Sequence, residues 1–235
     1  MDAMNDAVIV EAVRTPVGIG KPEKGALSGT HPVDLSAHVI DALISRVGIE
    51  PENVDDVIWG CVGQVGEQSA NIARNAALAA GLPESVTGVS VDRQCGSSQQ
   101  AVHFAAAAVM SGQMDVVIAG GVESMSRVPM FSNMAGGDGP FGPRMMSRYP
   151  DLVNQGLSAE MIAKRWNLTR TYLDELAAES QQRAARAAKD GLFDAEITAI
   201  ESEEGPMSID QGIRPDTTPE SLAGLKPAFS EDGVV

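Results

Sequence analysis

Cys95 stands in Val91-Asp92-Arg93-Gln94-Cys95-Gly96-Ser97-Ser98-Gln99-Gln100-Ala101. The apolar run before it, Val86 to Val91, reads as a strand, and the alanine-rich stretch after it, Gln99 to Met110, reads as a helix. A thiol where a strand turns into a helix meets free backbone N–H groups and the positive end of the helix dipole. Both favour thiolate over thiol, which lowers the pKa and yields a nucleophile usable near neutral pH. The alternative for Cys95 is a small buried apolar thiol that only packs. Cys61 follows Trp59-Gly60 at a strand end, where packing is the ordinary role. His103 follows Cys95 on the same predicted helix, about 12 Å along it at 1.5 Å per residue, too far to serve as its base. Glu123 is the sole carboxylate between Gly120 and Ser126, suited to ordering that loop or to chemistry.

These residues need a scaffold, and the hydrophobic pattern describes one. Ala7 to Val13 is apolar and β-branched and reads as a buried strand. Val33 to Val47 carries apolar residues at helical spacing and stops at Gly48, as a helix with a glycine cap does. Asp56 to Trp59 reads as a strand, Ser69 to Ala80 as a helix stopped by Gly81, and Val116 to Ala119 as a further strand. Strands alternating with helices require crossover connections, hence an α/β fold with a mostly parallel sheet covered on both faces. From 126 to 157 glycine, proline, methionine and serine break the rhythm, which reads as a long excursion from the sheet. Helical pattern returns at Ser158 to Trp166 and from about Tyr172 to Lys189, opened by Thr169 or Thr171 and closed near Gly191. A β-like stretch, Glu196 to Ile200, precedes an acidic loop through Glu204.

Composition excludes several functions. A formal net charge of −15 opposes nucleic-acid and anionic-membrane partners. Two unpatterned cysteines fit neither a disulfide framework nor a zinc site, and no metal site is expected. The acidic start Met1-Asp2-Ala3-Met4-Asn5-Asp6 lacks a secretory pattern, and no apolar run approaches the roughly 18–20 residues of a membrane span. A cytoplasmic protein is expected. Neither Gly-x-Gly-x-x-Gly nor a P-loop occurs, and Gly88-Val89-Ser90-Val91-Asp92 misses the last glycine of a hydrolase elbow.

Segments along the chain resemble those of the thiolase family. They include Glu11-Ala12-Val13-Arg14-Thr15-Pro16-Val17-Gly18, Gly63-Gln64-Val65-Gly66, Asn71-Ile72-Ala73-Arg74-Asn75, the Cys95 motif, Ala119-Gly120-Gly121-Val122-Glu123-Ser124-Met125-Ser126, Arg214-Pro215-Asp216-Thr217-Thr218 and Leu225-Lys226-Pro227-Ala228-Phe229. They stand in the family's order over essentially the whole chain. Ketoacyl synthases share the fold and a nucleophilic cysteine, but their cysteine motif differs. Thiolases are about two such halves long. The second half carries a Gly-His-Pro histidine, a Cys-x-Gly cysteine and a water-holding asparagine; no Gly-His-Pro occurs in this sequence, and its one Cys-x-Gly, Cys61-Val62-Gly63, lies among the segments that resemble the first half.

The resemblance implies a layered thiolase-like fold with an inserted loop domain and without its C-terminal half. Residues 1–122 would form the N-terminal α/β domain, lacking its final strand and helix. Residues 123–235 would form a loop domain that binds coenzyme A and assists oligomerisation. It implies that Cys95 is the acylated nucleophile in condensation of acetyl-CoA or thiolysis of a 3-ketoacyl-CoA. Asn154, Gln155 and Lys226 are implied as coenzyme A contacts, although Asn154-Gln155 replaces the His-Met pair of some biosynthetic members. Coenzyme A thioesters would be substrates, no cofactor is implied, and the assembly would be a homodimer or homotetramer. The competing reading is a truncated or split, non-catalytic half that acts as an assembly partner.

Overall fold

The computed structural model describes residues 6–203 and 205–235. The expectations for the amino terminus before Asp6 and for Glu204 lie outside the described residues. The chain divides into two compact units, Met1–Ala135 with Ala195–Gln211, and Gly136–Asp194 with Gly212–Val235.

In the first unit three strands, β1 (Asp56–Gly60), β2 (Thr87–Val91) and β3 (Val117–Gly121), form a parallel sheet in the order β2-β1-β3. The central strand β1 is buried along its whole length. Its side chains alternate, as a strand's must. Val57 and Trp59 enter a core with helix α1 (Pro32–Val47) and helix α2 (Ile72–Ala79), where Ile40, Ile72, Ala73 and Ala76 are fully enclosed. Ile58 points the other way, against Ala101 and Ala105 of helix α3 (Ser97–Met110). The sheet is thus covered on both faces, as strand–helix alternation predicts. Each fully buried Ile or Val contributes about 1.5–3 kcal/mol to this sandwich. Trp59 donates its indole N–H to Ser36 Oγ at 3.1 Å, and Ser36 donates to the Pro32 carbonyl at 2.9 Å, so the polar end of the indole is satisfied.

Local signals set the helix ends. His31 Nδ1 accepts the Val33 amide at 3.2 Å, Pro32 pre-sets the first turn, and Gly48 closes α1 with φ 68°. Helix α2 begins at Ile72 rather than Ser69, because Ala70 and Asn71 take φ 56° and 59° before Asn71 caps it. Helix α3 begins at Ser97, two residues earlier than the alanine pattern suggests.

The expectation for Ala7–Val13 is corrected. The segment is extended, but Val8, Ile9 and Val10 are 77%, 81% and 73% exposed, and it joins no strand. The physical reason is the lack of a neighbour: β3 pairs with β1 alone, and nothing among the described residues reaches this segment's backbone along its length. Arg14 follows it and is fixed: its amide donates to the Glu196 carbonyl, its carbonyl accepts the Thr198 amide, and its guanidinium meets Glu196 and Asp210. The stretch Glu196–Ile200 therefore mostly flanks Arg14, and its strand pairing starts only at β4 (Ile200–Ser202), antiparallel to β5 (Gly205–Met207).

The second unit is helical: α4 (Pro143–Arg148), α5 (Gln155–Trp166), α6 (Arg170–Lys189) and α7 (Pro219–Ala223), with α6 packed on α7. Thr169, not Thr171, caps α6 by accepting the Tyr172 amide at 3.2 Å. Glu160 of α5 accepts the amides of Val234 and Val235 at 2.9 and 3.0 Å, which ties the end of the chain to that helix. Among the described residues no helix is long and apolar enough to cross a membrane.

Candidate active site

Cys95 is exposed and lies one residue before Gly96, the N-cap of α3. The turn that presents it is tight. Gln94 takes φ 48°, a left-handed conformation that costs a non-glycine residue of order 1 kcal/mol and persists only where its surroundings enforce it. Three contacts do so. Asp92 Oδ1 accepts the Gln94 amide at 2.8 Å; Ser97 Oγ accepts the Arg93 amide at 2.9 Å and donates to the Gln94 carbonyl at 2.6 Å. The Ser97 side chain is buried, so these bonds are shielded from water. The Gly96 and Ser97 amides are spent on the Arg93 and Gln94 carbonyls, whereas the Cys95 amide meets no acceptor among the described residues.

The turn sits against the carboxyl ends of the strands. A β-carbon at Gly60 would collide with the backbone of Ser97 and Ser98, and one at Gly121 with the Ser98 hydroxyl, so the ends of β1 and β3 approach α3 only because both residues are glycine. Just beyond, the Glu123 carboxylate accepts from the Val62 amide at 2.9 Å, the Gly63 amide at 3.1 Å and Gln68 Nε2 at 2.8 Å. Gln68, fully buried, accepts the Ser124 amide at 2.7 Å through its other atom. Glu123 is therefore engaged in ordering the two loops that follow β1 and β3.

Cys61 is the opposite of Cys95. It is 1% exposed, and burial, then the negative charges of Glu123 and Asp92, push its thiol up to about 12. It is a packing residue, as its position at a strand end suggests. The histidines are occupied elsewhere: His31 caps α1, His38 lies 3.3 Å from Thr198 Oγ1, and His103 is exposed on α3.

The other three expected contacts lie in the helical unit. Asn154 caps α5, its Oδ1 accepting the Leu157 amide at 3.0 Å, and Gln155 is the first helical residue. Lys226 is exposed. Phe229 lies directly on Gly156, where a β-carbon would strike its ring, so Phe229 rests against the first turn of α5. Sequence reasoning missed the brace of Asp92, Ser97 and Gln68. An aspartate two residues before a turn amide is a legible signal; a left-handed glutamine has none. Among the described residues no group of three or more His, Cys, Asp or Glu could hold a metal ion.

The family model described as "Thiolase, N-terminal domain" matches residues 7–235. The chain belongs to the thiolase family. A steroid 3-ketoacyl-CoA thiolase of Mycobacterium tuberculosis is 46% identical over 233 residues, covering 95% of this chain and 56% of the relative. A 3-ketoacyl-CoA thiolase of Colwellia psychrerythraea is 43% identical, covering 96% of this chain and 58% of the relative. The crystal structure of the Bacillus anthracis acetyl-CoA acetyltransferase superposes on all of this chain and 62% of its own, with TM-score 0.83 and 37% identity. This thiolase chain thus spans somewhat over half the length of the relatives it matches. The expected α/β class, a parallel sheet sandwiched by helices in a thiolase-type N-terminal half, is borne out.

Proposed function

We propose that this thiolase chain supplies the acyl-accepting nucleophile of a coenzyme A-dependent acyltransferase. The observation that carries it is the exposed Cys95 on a braced, strained turn at the start of α3. The Cys95 thiolate attacks the thioester carbonyl carbon, forming an S–C bond. The tetrahedral oxyanion is met by the unspent Cys95 amide, and a donor so placed is worth roughly 3 kcal/mol of barrier. Collapse breaks the bond to the coenzyme A sulfur, which leaves as thiolate and takes a proton, and the acyl group stays on Cys95. Condensation with an acetyl-CoA carbanion, or its reverse, thiolysis of a 3-ketoacyl-CoA, then needs a second thiol and a histidine from the part of the family's length that this chain does not span.

Asn154 and Gln155 at the start of α5, and Lys226, are proposed to contact coenzyme A. Lys226 would supply the cation, since a chain of net charge −15 offers no general attraction for phosphate. Two unpaired thiols support a reducing, cytoplasmic setting, and a homodimer or homotetramer is proposed by analogy with the family. The test is mass spectrometry of the chain after incubation with acetyl-CoA or acetoacetyl-CoA. An acyl adduct on the Cys95 peptide, lost in Cys95→Ala, is expected; an adduct on Cys61 would overturn the assignment.

A further inference from the structure

The two ring nitrogens of His31 face different partners. Nδ1 accepts the Val33 amide at 3.2 Å, the cap of α1, while Nε2 lies 3.9 Å from the Glu67 carboxylate. That amide belongs to the first turn of α1, where no carbonyl of the helix can reach it. An acceptor at Nδ1 fixes the neutral tautomer: the single ring proton sits on Nε2, toward Glu67. The side chain is 39% exposed, so solvent protons reach the ring freely. Glu67 is shared. Its carboxylate also accepts from Arg127, through Nε and through Nη2 at 2.8 Å, and Arg127 Nη1 donates to the Ser28 carbonyl at 3.0 Å. One carboxylate thus ties the loop before α1 to the loops that follow β1 and β3. It adjoins Gln68, the buried side chain that orders those same two loops.

We infer that His31 is a pH-operated switch: neutral, it caps α1; protonated, it releases the Val33 amide and pairs with Glu67. Protonation places a solvent proton on the Nδ1 lone pair and so turns the acceptor into a donor that faces a donor. The imidazolium also stands at the positive end of the α1 dipole, which repels it. Glu67 draws it away, since closing the 3.9 Å gap makes a charge-assisted hydrogen bond. Hydrogen bonding from Arg127 holds the Glu67 carboxyl below the usual glutamate range, so it stays charged while the imidazole titrates. The other charged groups nearby are Asp34 in the first turn of α1 and Glu203, whose carboxylate lies over Gly29. Both favour the charged ring, and neither offers the Val33 amide an acceptor. Arg127 must then share Glu67 with a second cation, so its hold on Ser28 changes together with the cap. The switch does not depend on the role proposed for Cys95.

The test is NMR of the 15N-labelled 235-residue chain at about pH 8 and about pH 5, on either side of the ordinary imidazole titration. At the higher pH a through-hydrogen-bond coupling between the Val33 amide nitrogen and His31 Nδ1 is expected, with the ring proton on Nε2. At the lower pH both ring nitrogens should be protonated and the coupling gone. Exchange protection of the Val33 amide, taken relative to a free amide at the same pH, should fall roughly fivefold. His31→Asn keeps a capping oxygen that does not titrate, and should leave Val33 equally protected at both values. Glu67→Gln should keep the cap at the higher pH and lower the midpoint of its release by about half a pH unit. No coupling at the higher pH, coupling that survives at the lower, the same loss of protection in His31→Asn, or an unmoved midpoint in Glu67→Gln would each overturn the inference.

Discussion

The Ser97 hydroxyl accepts the Arg93 amide at 2.9 Å, closing from within the helix the turn that carries Cys95 between them. Ser97→Ala removes this acceptor and leaves a shielded amide without a partner. The expected loss is about 1–3 kcal/mol of unfolding free energy. Urea denaturation checks it, and Cys95 alkylation should slow because the turn loosens.

The two thiols should differ sharply in reactivity. Cys95 is exposed at a helix start, whereas Cys61 is enclosed and held protonated with its pKa near 12. Iodoacetamide at pH 7 followed by peptide mapping should label Cys95 first. Faster labelling of Cys61 would sink the assignment of the nucleophile.

Position 94 should prefer glycine for stability. Gln94→Gly relieves a left-handed conformation and is expected to leave the chain as stable or up to about 1 kcal/mol more stable. Gln94→Val should cost more than that, since a β-branched side chain is the worst fit there. Thermal melts of the pair decide it, and a stable valine variant would mean that the turn relaxes freely.

Acid should weaken the tether at Arg14. Burial raises the Asp210 carboxyl, but the Arg14 guanidinium at 2.7 Å and the Val17 amide at 2.8 Å outweigh it and hold the group below the usual aspartate range. A carboxyl depressed in the folded state stabilises fully above its unfolded pKa, near 4, and loses that contribution as pH falls through its lower folded pKa. Unfolding free energy should therefore decline below about pH 4. Asp210→Asn should flatten this slope and cost about 1–3 kcal/mol at neutral pH. An unchanged slope would show that other carboxyls dominate.

Lys226→Ala, assayed with the remainder of the thiolase length present, should raise the KM for the coenzyme A substrate and leave kcat nearly unchanged, the mark of lost uniform binding. A collapse of kcat at unchanged KM would place Lys226 on the transition state instead.

Much of this arrangement was legible in the residues. Alternating runs marked β1, β2 and β3, glycine marked the end of α1, and the neighbourhood of Cys95 marked a strand-to-helix turn. What escaped depends on distant partners. The apolar pattern of Ala7–Val13 describes a strand that wants burial, but burial is a property of neighbours, and neither β3 nor any other described strand reaches it. Asn154 carries a capping signal in its residue type, so its structural duty at α5 could have been read beside its expected ligand role. The start of α3 shifted because Ser97 spends its hydroxyl on the turn rather than interrupting the helix.

The two tryptophans divide between the compact units: Trp59, 3% exposed and hydrogen-bonded to Ser36, belongs to the sheet unit, and Trp166, 59% exposed beside Arg165, to the helical one. Nature has in effect placed one optical reporter in each. Emission from Trp59 should be blue-shifted and shielded from iodide, that from Trp166 red-shifted and quenchable. A denaturation curve followed at both wavelengths therefore shows whether the units melt as one or in sequence, with no label attached.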